Sequence, residues 1–94
     1  MILVLNRKAG KPPKGARYVG RPTIFGNPFK IGQDGDRDQV IEKFRGYFQE
    51  RLEKDAKFKT QVDKLKDAPA LVCWCAPARC HADVLAEYIQ QRFK

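Results

Sequence analysis

Apolar positions along the chain fall into six groupings with different periods. Residues 2–5 (ILVL) form a short unbroken apolar run, which predicts a buried first strand. Tyr18 and Val19 predict a second short strand that ends at Gly20. From Asp36 the period changes. Val40, Ile41, Phe44, Tyr47, Phe48 and Leu52 recur on one helical face, and Asp36 with Gln39 three residues on has the form of a capping box. Phe58, Val62 and Leu65 mark a second helix over 55–66, lysine-rich and therefore solvated on one side. Asp67, Ala68 and Pro69 break it. The run 70–75 (ALVCWC) predicts a strand covered on both faces, ended by Pro77. Val84, Leu85, Tyr88, Ile89 and Phe93 predict a terminal helix from Cys80 or His81.

The fold class follows from this order: a small α/β sheet with helices packed on it, one domain over 1–94, with a Cys/His motif at a strand-to-helix junction. The right-handed crossover rule places the helical segment 36–66 across a face of the sheet. Between the strand at 70–75 and the last helix stand Cys73, Trp74, Cys75, Arg79, Cys80 and the only histidine, His81. In open α/β sheets that junction is where ligands bind.

Charge changes the picture through its placement. Residues 1–33 hold seven basic residues (Arg7, Lys8, Lys11, Lys14, Arg17, Arg21, Lys30) and no acidic one. The remaining residues hold 12 basic and 11 acidic, so nearly all of the net +8 lies in the first third. A one-sign cluster among Gly, Pro and aromatics points to a phosphate-bearing partner, nucleic acid or nucleotide, with those seven residues as the nucleic-acid contacts. No apolar run reaches the roughly 18 residues of a membrane span, and residues 1–5 are too short for a signal-peptide core. A cytoplasmic protein without membrane contact is expected.

Three chemistries compete at the junction. Binding without covalent chemistry would use Arg21, Asn27, Trp74, Arg79 and His81 around an anion at the last helix's N-terminus. A nucleotide-processing enzyme, performing N-glycosidic cleavage or base transfer, would use Cys80, His81 and Asp83. Adjacent helical residues diverge by about 100°, so Cys80 and His81 are expected to point apart and need not touch. Zinc, if present, would take Cys73, Cys75, Cys80 and His81, but their spacing is unlike ordinary zinc sites, so no metal or cofactor is expected.

The segments GRPTIFGNPFKIG (20–32) and LVCWCAPARCHADVLAE (71–87) resemble the domain of unknown function 4326 (DUF4326), a family of small bacterial and phage proteins. The residues carrying the resemblance are Gly20, Arg21, Gly26, Asn27, Pro28, Phe29, Gly32, Cys73, Trp74, Cys75, Pro77, Cys80, His81, Asp83, Val84 and Leu85. It spans about 18–89 and leaves the basic arm over 1–17 outside. The C-terminal half is also similar to the family numbered 488, although this chain lacks that family's second basic residue after the histidine. The resemblance implies an α/β fold and a phage or bacterial setting, and no activity. A phage origin adds a third class of function, inhibition of a host enzyme, with a host protein as partner.

Overall fold

The computed structural model describes residues 2–74 and 78–93. Its three described strands are β1 (Leu3–Asn6), β2 (Arg17–Tyr18) and β3 (Ala70–Cys73), all parallel in the order β1-β3-β2. Leu3 aligns with Ala70 and Asn6 with Cys73, while Tyr18 aligns with Val72. The short apolar runs at 3–6 and 70–73 thus pair with each other across most of the sequence. β3 is central and buried throughout. β1 lies at the edge with Leu3 53% exposed, so the buried first strand expected from the sequence is instead a half-covered one. Trp74 lies beyond the strand and is 50% exposed, against the expectation of a strand covered through residue 75. Cys75 and Pro77 fall outside the described residues.

The helices are α1 (Arg37–Lys54), α2 (Ala56–Asp63) and α3 (His81–Arg92). α1 starts where the sequence placed it. Asp36 accepts from the Gln39 backbone N–H at 2.9 Å, and the Gln39 side chain returns the bond to the Asp36 N–H at 2.8 Å. α2 is capped by Asp55, which accepts from the Phe58 N–H, and passes into a 3-10 turn over Lys64–Asp67. The predicted apolar faces are the buried ones: Val40, Ile41, Phe44 and Phe48 on α1, Phe58 and Val62 on α2, and Leu65 on the turn.

Phe44 is the hub of the core. It stacks on Phe48 at 5.7 Å between centroids and meets the His81 ring edge-on at 5.3 Å. Leu71 and Cys73, on one face of β3, join this cluster with Leu85 and Ile89 of α3. α3 makes the main helical contact with the sheet, on β1 and β3, and both α1 and α2 pack against α3.

Candidate functional site

Because the strands are parallel, their carboxyl ends share one edge. The chain leaves β1 into Arg7 and Lys8, β2 into Val19, Gly20 and Arg21, and β3 into Trp74. A cleft of about 380 Å³ opens beside this edge. Arg21, Asn27, Trp74, Arg79 and His81, separated by up to sixty residues in the chain, all line it. So do Lys30, Arg37 and Cys80, with an apolar wall from Phe29, Ile31, Val40 and Ile41. No described carboxylate lines it.

His81 forms the buried floor, 9% exposed. Its Nε2 lies 2.8 Å from the Val19 carbonyl oxygen. A carbonyl only accepts, so Nε2 carries the proton and Nδ1 presents a lone pair. The Cys80 thiol, 3.4 Å from Nδ1, is placed to donate to it. The two side chains therefore touch, contrary to the expected divergence. The reason is that Cys80 is the N-cap, with extended φ −146° and ψ 158°, so helical spacing does not govern the pair. Asp83 has a structural partner: its carboxylate accepts from the Cys80 N–H at 2.9 Å. Among the described residues no three potential metal ligands gather, and Cys75 lies outside them.

Burial holds the His81 imidazole below its ordinary value of 6.5; the bond to Val19 opposes the shift, and the Arg21 charge adds to it. The folded protein thus resists a proton that the unfolded chain accepts. Stability present above pH 6.5 is lost progressively as pH falls below that value toward the lower folded one. The urea midpoint is expected to drop between pH 7.5 and pH 5.5, and to drop less in His81→Gln; equal drops in both would remove His81 as the cause.

Arg79 stands in the lining but its guanidinium faces α1. It donates to Asp38 at 3.1 Å and to Glu42 at 2.7 Å, while Arg37 donates to the Arg79 carbonyl at 3.2 Å. An anion at Arg79 would compete with two carboxylates. Asn27 is also occupied: its amide donates to the Val40 carbonyl and its Oδ1 accepts from the Phe29 N–H, fastening the loop onto α1. Arg21 differs, since no ion pair among the described residues engages it. Its backbone is held by a turn in which a Cβ at Gly26 would come within 2.9 Å of Arg21 Cγ, so glycine permits the close approach.

At the mouth of the cleft the Trp74 Nε1 donates to the Tyr18 hydroxyl at 2.9 Å, which donates to the Arg21 carbonyl at 2.7 Å. The Arg7 guanidinium lies 4.9 Å from the Tyr18 centroid and 5.6 Å from that of Trp74; the Lys8 ammonium lies 5.8 Å from Trp74. Gly20 makes room for this chain, since a Cβ there would stand 2.5 Å from the Tyr18 hydroxyl. All seven basic residues of the first third are exposed. Every ion pair among the described residues takes its cation from positions 45–92, so none of the seven is neutralised that way.

Arg37 is the cleft cation that sequence reasoning missed. A signal was present: it opens α1, where the helix dipole favours acidic residues, so a cation there needs another reason.

No described helix is long and apolar enough to cross a membrane. No solved structure matches the chain. An uncharacterized 12.4 kDa protein of the nrdA-td intergenic region of Enterobacteria phage T4 is 32% identical over 77 residues, covering 81% of this chain and 68% of that protein. These matches give no support to the likeness to the family numbered 488. The family model for DUF4326, a domain of unknown function, matches residues 4–91, which takes in the basic arm that the motifs alone had left outside. The two motifs that meet at the cleft therefore sit within a match that spans nearly the whole chain, and the protein belongs to the DUF4326 family.

Proposed function

We propose that the cleft binds a nucleotide, with its phosphates toward Arg21, Lys30 and Arg37 and its base toward the apolar wall of Phe29, Ile31 and Val40. The observation that carries this reading is the lining itself: four cations and no described carboxylate beside an apolar wall, at the carboxyl edge of a parallel sheet. Arg79 contributes least, because Asp38 and Glu42 already hold it. Neutral His81 keeps a polar floor without adding charge. Calorimetric titration with the common nucleoside triphosphates and with their parent nucleosides tests the reading. Binding is expected for the triphosphates and at least tenfold weaker for the nucleosides, the size of one lost charge-assisted bond at roughly 1.5 kcal/mol. Equal binding of nucleoside and nucleotide, or none of either, would remove it.

The contact between Cys80 and His81 favours a second reading, a nucleotide-processing enzyme with Cys80 as nucleophile. Against it, Cys80 is 2% exposed, and Asp83 is engaged by the Cys80 N–H. Rapid alkylation of Cys80 by iodoacetamide, blocked by a nucleotide, would promote this reading; slow alkylation is expected.

A further inference from the structure

We infer that the Trp74 platform seats an unpaired base of a single-stranded nucleic acid, whose backbone follows the exposed basic arm while the adjoining nucleotide occupies the cleft. The inference rests on the nucleotide reading of the cleft and names its ligand as part of a strand. Trp74 is half exposed although it is one of the largest apolar side chains in the molecule. It is also held in place, by its Nε1 bond to Tyr18 and by the Asn6 amide, which donates to the Trp74 carbonyl at 3.1 Å. A fixed, wet indole with Arg7 and Lys8 beside it has the makings of a stacking station flanked by phosphate contacts.

The arm extends this station into a path. It leaves the carboxyl edge of the sheet at Arg7 and Lys8. It reaches the opposite edge at Gly15, whose Cβ position lies 3.4 Å from Pro69, just ahead of β3. Lys11 and Lys14 stand exposed between these points, and Arg17 begins β2. A four-residue strand is about 13 Å long, so the cations are strung over a length greater than one nucleotide's phosphates need. A duplex buries its base faces in its own stack and leaves only its two end pairs open to an indole.

Because Trp74 is the only tryptophan, its fluorescence reads the platform directly. The probes are eight-residue oligothymidylate and oligouridylate, an abasic strand and a blunt duplex of equal length, and thymidine triphosphate. The two homopolymers are expected to quench Trp74 and to bind more tightly than the abasic strand and the duplex, whichever sugar is preferred. Read by the anisotropy of a dye-labelled strand, Trp74→Ala should weaken oligonucleotide binding about 5- to 150-fold, with Trp74→Phe restoring most of it. Replacing Lys11 and Lys14, the arm cations away from the cleft, together with alanine should flatten the salt slope by about 1.4 and leave the triphosphate's affinity unchanged. Abasic or duplex binding equal to that of the homopolymers, or an unchanged salt slope, would overturn the inference. If the triphosphate binds and the homopolymers bind no better, the strand is wrong and the cleft reading stands; if nothing binds, both fall.

Discussion

Replacing Phe44 with alanine is expected to cost about 3 to 5 kcal/mol of stability, the largest loss of any single truncation in this chain. Phe44 is fully buried and touches Phe48, Tyr47 and His81 at once. Its neighbours come from both α1 and the start of α3, so the cavity left behind cannot close by movement of one helix. Domains of this size are stable by only about 5 to 15 kcal/mol in total, so the variant should be partly unfolded at 37 °C. Leu3→Ala provides the comparison. Leu3 is half exposed on the edge strand, and its truncation should fall well below 2 kcal/mol. Urea denaturation of the two variants measures the difference; similar midpoints would mean that the core is not centred on Phe44. The cleft should lose its shape too, because Phe44 backs the ring that forms its floor.

What the sequence disclosed follows physical locality. The existence of α1, its cap and its buried face were legible, because the capping box of Asp36 and Gln39 and the apolar face from Val40 to Phe48 are local signals that tertiary packing reinforced. The cluster of Arg21, Asn27, Trp74, Arg79 and His81 was legible as chemistry: Trp74, Arg79 and His81 stand at a strand-to-helix junction, and Arg21 and Asn27 in the glycine- and proline-rich segment 20–32, both visible in one dimension. Their occupations were not. Arg79 meets Asp38 and Glu42 only because α1 is brought alongside the junction, across about forty residues of chain. The contact of Cys80 with His81 depends on an extended N-cap dihedral that no periodicity encodes. The exposure of Leu3 came from strand order: 2–5 and 70–73 are both short unbroken apolar runs, and nothing in either says which will be central.

Arg21→Glu is the binding change with the largest expected effect. Arg21 lines the cleft, lies close enough to His81 to oppose its protonation, and is engaged by no carboxylate among the described residues. Removing a charge-assisted contact costs roughly 1.5 to 3 kcal/mol, or about 10- to 150-fold in affinity, and the new carboxylate adds repulsion. The loss should therefore exceed 100-fold. Because the side chain is exposed and its own backbone makes the turn, the variant should fold with an unchanged midpoint. Arg79→Ala should weaken nucleotide binding only slightly, since the residue already serves α1. An Arg79 effect equal to that of Arg21 would mean that the anion displaces Asp38 and Glu42.

Both variants can be read at the cleft itself through the single imidazole. His81 is the chain's only histidine, so the carbon-bound protons of its ring give two isolated resonances in a proton NMR spectrum at pH 7.5. Titration with a nucleoside triphosphate is expected to move them saturably, with the same dissociation constant as calorimetry gives. The parent nucleoside should move them far less, and Arg21→Glu should hold them still. Saturable binding that leaves the His81 resonances in place, or that survives Arg21→Glu unchanged, would contradict a nucleotide site in this cleft.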